Sequence, residues 1–425
     1  MPVFVAIVVI NILSHIYSCL KELFMRFFGD SAAIIAVCFC VLTSNGVIAA
    51  VSWDKDLVYD TNTNTSLLAS CLEKDANSVF VITKVCPKGT FPKSGICVLW
   101  EIRTNGNLIR QFPLKNTDGN TIKTDSVAAG PGCAIAIDSL GNLLTINALV
   151  LGEREKSRSI SAISLANSTE PNILMGDRMT DFSVKKLLSM PDNNFVLVGG
   201  QKDNGFCAKI NNQGKIQREV LFDIGQLELF TDAALTTLDD SNLVVVGLSA
   251  EMSGKVSAEK IDTFIAIYDP NCKLISKDIF SGGNSLLLPP RVCCFDNGNI
   301  MVLYIKRNED NKPEFWARCY TQKLEVLWEK TVYTTNKSPF YWGATSRKSS
   351  GFVVGTIPQT MESVEFYFFD KNGTQIGNNH YKGMVSASGF NLMRANNGKT
   401  IAVFEEGSAG SVKELTIKTK IIALD

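Results

Sequence analysis

Seven times along the chain a polar turn of Asn, Asp, Gly or Ser opens into a short run of aliphatic, β-branched or aromatic residues. The first two are Asn77-Ser78-Val79-Phe80-Val81 and Gly141-Asn142-Leu143-Leu144. The next are Asn193-Asn194-Phe195-Val196-Leu197-Val198 and Ser241-Asn242-Leu243-Val244-Val245-Val246. Gly298-Asn299-Ile300-Met301-Val302, Ser350-Gly351-Phe352-Val353-Val354 and Gly398-Lys399-Thr400-Ile401-Ala402-Val403 complete the series. The first residue after the turn falls at 79, 143, 195, 243, 300, 352 and 400, so the units recur every 48 to 64 residues. Units of that size suit four short strands joined by loops of unequal length. No stretch after residue 50 keeps a helical period between caps.

A second run follows in most units and ends in its own turn. Cys97–Ile102 precedes Asn105-Gly106-Asn107, Phe206–Ile210 precedes Gln213-Gly214-Lys215, and Phe366–Phe369 precedes Asn372-Gly373-Thr374. Turns of this kind join antiparallel strands as hairpins. The outer strand they lead to is clearest at Val326-Leu327-Trp328-Glu329-Lys330-Thr331-Val332-Tyr333. The segment Val51-Ser52-Trp53-Asp54-Lys55 repeats its order of Trp, acid and Lys, while the seventh unit ends at Asp425 without room for such a strand. Residues 51–60 are therefore expected to supply the missing outer strand and close a ring without open edges. The pattern predicts an all-β fold over 51–425: a seven-bladed β-propeller of four-stranded antiparallel blades. A pair of β-sandwiches is the alternative.

The units resemble the degenerate, PQQ-like repeats of secreted and periplasmic seven-bladed β-propeller proteins. In these a turn, a strand closed by glycine, a strand ending in Asp and Asn-Gly, and a strand carrying Trp and Lys recur. Gly199, Gly247 and Gly355 match that glycine, and Trp53 and Trp328 match the tryptophan. The resemblance spans about residues 51–425 and implies a fold, not an activity. The WD dipeptide, the sialidase Asp box and the quinoprotein dehydrogenase repeat are absent, and no cofactor is expected.

Ahead of the repeats, residues 1–20 and 31–53 carry no Lys, Arg, Asp or Glu. Three readings of residues 1–50 stand side by side. With Met25 as the true start, Arg26, the apolar Ala32–Leu42 and the small residues Val47-Ile48-Ala49-Ala50 lay out a secretory signal peptide. Two membrane helices or one uncleaved anchor are the others. Each points to an extracytoplasmic body, secreted, periplasmic or membrane-anchored, except a hairpin that holds it in the cytosol. Contact with a membrane is expected only through this N-terminal segment.

Lys plus Arg and Asp plus Glu each number 42, giving no net charge. That balance argues against a nucleic-acid partner, which calls for a basic surplus. The chain has two histidines, His15 in the leader and His380 in the body. Multi-histidine metal centres are excluded, and a histidine-based triad would have to use His380.

The body holds nine cysteines: Cys71, Cys86, Cys97, Cys133, Cys207, Cys272, Cys293, Cys294 and Cys319. Cys86 and Cys97 sit at facing ends of an expected hairpin and are the candidate disulfide. Cys207 and Cys319 read as small buried apolar residues. Cys293 and Cys294 are adjacent and point to opposite faces of a strand. No Cys-x-x-Cys occurs in the body, so no metal site is assigned.

The inner strands should line a central channel. Candidate ligand-binding residues at its mouth are Asp232, Arg291, Tyr341 and Trp342, with Lys185 and Lys186 along their strand. Aromatic rings beside cations suit a sugar or a peptide. Gly152–Arg158, Glu251–Asp262 and Arg307–Lys312 read as charged rim loops, where function concentrates on a rigid scaffold. Sequons stand at Asn64, Asn167, Asn336 and Asn372. No catalytic residue is assigned. The sequence therefore points to a non-enzymatic binding or scaffold propeller engaging a protein or glycan through one loop face. The alternative is a glycan hydrolase or lyase with carboxylates at the channel mouth, Asp232 joined by Asp118 or Asp125.

Overall fold

The runs that follow the polar turns are unbroken rather than alternating because both of their faces are buried. In Ser78–Pro87, Val79, Val81 and Val85 pack to one side while Phe80 and Ile82 pack to the other. Every such run is the second strand of a four-stranded antiparallel blade, seven of which form a β-propeller; in blade 1 the short Lys123–Thr124 strand also pairs with the third strand, Gly95–Arg103.

The computed structural model describes residues 51–72, 77–88, 95–114, 123–124, 134–151, 155–164, 172–180, 182–201, 204–222, 227–237, 241–250, 261–281, 289–309, 312–334, 339–347, 351–395, 397–408 and 416–424. Among them every regular element is a β-strand. The leader readings fall on residues 1–50, outside the described residues. Asp118, Asp125, Cys133, Asn167, Asn336 and the loop 251–260 also lie outside them.

The innermost strands of blades 1 to 7 are Thr63–Leu72, Ala134–Ile137, Phe182–Ser189, Leu227–Leu235, Arg291–Cys294, Pro339–Ser346 and Val385–Arg394. Each contacts the next, and the last contacts the first. Outward from them the chain runs strand by strand, as in Phe182–Ser189, Phe195–Gln201, Asn204–Ile210 and Ile216–Phe222 of blade 3. Blade 7 is different. Its first three strands are Val385–Arg394, Thr400–Ser408 and Thr416–Leu424, and its outermost strand is Val51–Leu57. Trp53 lies opposite Ala423 and Leu57 opposite Thr419.

The core is distributed. Seven clusters of buried apolar side chains appear among the described residues, one in each seam between neighbouring blades. The adjacent cysteines show the alternation directly: Cys293 belongs to the seam of blades 5 and 6, Cys294 to that of blades 4 and 5.

A second device ties the blades at their periphery. The turn from third to outer strand rests on the preceding blade. Gly106 (φ +91°) faces the ring of Trp53, where an added Cβ would come to 3.0 Å of the indole. Gly373 (φ +71°) faces Trp328 in the same way, at 2.9 Å. The glycine serves both the left-handed turn and the close approach of the indole. The indole Nε1 of Trp53 also donates to the Thr104 carbonyl at 2.7 Å. Hence the shared Trp-acid-Lys order of Val51–Leu57 and Val326–Thr334: both are outer strands seated under the next blade's turn.

One loop expectation is corrected. Of Gly152–Arg158, the part from Glu155 onward belongs to the third strand of blade 2, Glu155–Ser164. Val150 pairs with Lys156 and Ala148 with Arg158. The backbone ladder continues through these charges because pairing needs no apolar side chain. Asn64 is a second case: it is buried, and its Oδ1 accepts from the Ile417 amide at 3.1 Å, so this sequon is closed to glycosylation in the folded chain. Asn372 is exposed in its hairpin.

Candidate functional site

Inner strands carry the site, and bulges shape it. The register slips between Val184 and Lys186, between Phe230 and Asp232, between Pro339 and Tyr341, and between Leu67 and Ala69. A bulge places one residue outside the ladder and re-aims its neighbours. Here the slips fall where the strands meet the channel, and a cavity of about 290 Å³ opens there.

Lys185 and Lys186 from blade 3, Asp232 from blade 4, Arg291 from blade 5, and Tyr341 and Trp342 from blade 6 all line that cavity. Four neighbouring strands thus bring together every residue singled out for the channel mouth. Asp232 is buried; Lys186 Nζ stands 3.4 Å from its Oδ1, and the Val292 amide donates to its Oδ2 at 3.2 Å. Arg291 donates through Nη1 to the Thr231 carbonyl at 3.3 Å and through Nη2 to the Trp342 carbonyl at 3.2 Å. Its guanidinium carbon lies 5.9 Å from the centre of the Tyr341 ring. The buried Nε of Arg291 has no hydrogen-bond partner.

Trp342 differs from the expectation. Its side chain is 0% exposed, belongs to the seam of blades 5 and 6, and meets Phe315 edge to face at 5.5 Å. It offers the channel its carbonyl, not its indole, because side chains alternate along the strand and Tyr341 takes the other direction. Sequence reasoning missed Thr231, Asn391 and Ser70. Thr231 Oγ1 donates to the Pro290 carbonyl at 2.9 Å, steadying the turn into Arg291. Asn391 bridges to Ser70 across blades 7 and 1, its Nδ2 donating to the Ser70 hydroxyl at 2.9 Å. Bulges leave little trace in a polar–apolar pattern, which is why these residues escaped.

The lining is electrostatically lopsided. Among the described residues it holds three cations, Lys185, Lys186 and Arg291, against the single carboxylate of Asp232. The Cys71 thiol also lines it, and burial pushes it up, away from the thiolate form. His380 is exposed on the outer strand of blade 6, opposite Glu365, away from the channel. No group of three or more His, Cys, Asp and Glu suited to a metal occurs among the described residues.

Cys86 and Cys97 are not joined to each other. The ladder sets Lys84 opposite Cys97 and Val85 opposite Ile96, so the two cysteines share a face but stand two positions out of register. Diagonal neighbours in a sheet lie about 7–8 Å apart, beyond the usual Cα span of a disulfide.

Compared with family profiles and with curated proteins, the chain matches none. Among solved structures it is similar to an unknown function protein from Dyadobacter fermentans DSM 18053, at 8% identity and TM-score 0.48, covering 89% of this chain and 99% of that one. It is also similar to a structure of Drosophila Plexin A in complex with Semaphorin 1b, at 7% identity and TM-score 0.46, covering 89% and 88%. Neither likeness bears on what this chain binds.

Proposed function

We propose that this protein is a non-enzymatic binding propeller, working outside the cytoplasm, that engages an acidic group of a glycan or protein partner through the loop face at its channel mouth. The observation that carries the reading is the charge of the lining: Lys185, Lys186 and Arg291 outnumber Asp232, whose charge Lys186 already offsets. A cleft walled by one sign of charge concentrates ligands of the other. Tyr341 beside Arg291 adds a flat apolar face on which a sugar ring or a peptide group can rest. The hydrolase or lyase reading calls for two carboxylates facing each other across the scissile bond. Asp232 is the one carboxylate among the described lining residues, and its position beside Lys186 suits a structural ion pair.

The test is a titration of the full chain with oligogalacturonates and with neutral oligosaccharides of equal length. Retention of the acidic series alone, weakening with added salt and with Lys185→Ala, is the expected result. Equal retention of both series, or cleavage of either, would overturn the proposal.

A further inference from the structure

Cys207 lies on the third strand of blade 3, and Cys272 occupies the turn from third to outer strand in blade 4. Both are buried in the seam between these blades, among Val198, Phe222 and Tyr268. In the structure both are free thiols, with their Sγ atoms 2.7 Å apart, well inside the van der Waals separation of two sulfurs. The turn's backbone explains how the two sulfurs come to meet. Cys272 has φ +60°, at the turn position filled in blades 1, 3 and 6 by Gly106, Gly214 and Gly373. In blade 5 Leu324 holds the same position at φ +60°, so a side chain is tolerated there, and the turn aims the Cys272 side chain at the neighbouring blade. As with Gly106 and Trp53, the position faces the preceding blade, and what it meets there is Cys207.

We infer that Cys207 and Cys272 form a disulfide that staples blade 3 to blade 4. The electrons leave to a small disulfide oxidant such as glutathione disulfide. The Cys272 thiolate attacks one sulfur of the oxidant, breaks its S–S bond and expels one thiolate, giving a mixed disulfide. Cys207 then gives up its proton and attacks the Cys272 sulfur, expelling the second thiolate. One S–S bond forms in the protein, one breaks in the oxidant, and the two protons end on the two released thiols. Because the seam is closed to solvent once packed, oxidation precedes its closing. The bond is consistent with an oxidising compartment, although its detection does not depend on the channel's ligand.

The experiment uses the full chain, folded in a glutathione redox buffer, then denatured without reductant and alkylated with iodoacetamide. Peptide mapping is expected to recover Cys207 and Cys272 as one linked pair, alkylated only after reduction. Cysteines that are merely buried react as soon as the chain is denatured, so alkylation of both before reduction would overturn the inference. Cys272→Gly supplies a second readout, since glycine suits this turn. With the disulfide, the variant melts several degrees below the oxidised wild type, and the gap closes or reverses in reductant. A variant as stable as the oxidised wild type would also overturn it.

Discussion

Between blades 7 and 1 the buried apolar seam is also threaded with hydrogen bonds, whereas between blades 3 and 4 it is rich in aromatic rings. In the first, the Thr419 amide donates to Thr65 Oγ1 at 2.9 Å, and Thr65 Oγ1 donates to the Leu57 carbonyl at 2.7 Å. The buried Glu405 accepts from the Leu67 amide at 2.7 Å. In the second, Phe222 stacks on Tyr268 at 4.0 Å and meets Phe230 edge to face at 4.9 Å. Phe230 in turn sits over Gly205, where an added Cβ would come to 1.3 Å of the ring. Apolar packing rewards area and is tolerant of register; a buried polar network is satisfied in one register only. The hydrogen-bonded seam is the one that joins the two ends of the chain, where closure costs the most loop entropy and a slip would be most damaging. The difference teaches that area holds the ring together while hydrogen bonds decide how it shuts.

Deleting residues 51–57 is the harshest way to break this comparison. It removes the outer strand of blade 7, with the buried Leu57 and the Trp53 indole. Loss on the order of 4 kcal/mol or more is expected in denaturant unfolding, together with aggregation through the bared edge of Thr416–Leu424. Unchanged unfolding would show that the seam carries no closure.

Next comes Lys420→Ala. Lys420 Nζ lies 2.8 Å from Asp54 and 3.0 Å from Asp56, two acids side by side on the closing strand, so its removal leaves Asp54 without this partner and Asp56 with Lys418 alone of the two lysines. Roughly 2–3 kcal/mol of destabilisation follows, less than for a fully buried pair because Asp54 is half exposed. The pH profile carries the same signature. Burial lifts the Asp56 carboxyl, but the hydrogen bonds from Lys420 and Lys418 outweigh it and hold the group below its usual range. Its contribution is therefore present above the ordinary carboxylate value of about 3.9 and is lost as pH falls through the depressed one. Burial pulls Lys420 down, yet its bonds to Asp54 and Asp56 leave it raised. That contribution is present below about 10.4 and is lost as pH rises through the folded value. In the Lys420→Ala variant, melting curves across pH should lose the alkaline limb and shallow the acid one.

On the aromatic side, Gly205→Ala is expected to cost about 1–3 kcal/mol by overpacking against Phe230. Pairing it with Phe230→Leu sharpens the point: the double variant should be less destabilised than the two single costs added together. Additive costs would mean that the two residues do not press on each other. The smallest effect belongs to the channel. Lys186→Ala removes an ion pair at 3.4 Å whose lysine is substantially exposed, so stability should change by less than about 1 kcal/mol while affinity for an acidic oligosaccharide falls.

Much of the ring was legible because doubly buried second strands leave unbroken apolar runs after polar turns, and because the order Trp-acid-Lys appears at both 53–55 and 328–330. Asp232, Arg291 and Tyr341 were legible as candidates because they fall on the inner strands that precede those turns. What escaped depends on phase and not on composition. The bulges at Lys185 and Thr231 shift side chains by one place, and alternation turns Trp342 into the core. The Cys86 and Cys97 pairing failed on the same ground: the hairpin was placed, but its register was not. Likewise nothing local to Cys207 or Cys272 hints that they meet, since they lie on different blades, 65 residues apart.

Closure of the ring by the first strand is the claim on which the seams, the channel and its charge all rest. Hydrogen–deuterium exchange of the full chain tests it most directly. Amides of Val51–Leu57 that pair with Thr416–Leu424 should exchange as slowly as the partner strand. Exchange of Val51–Leu57 at the rate of an unstructured peptide, with Thr416–Leu424 still protected, would contradict the account.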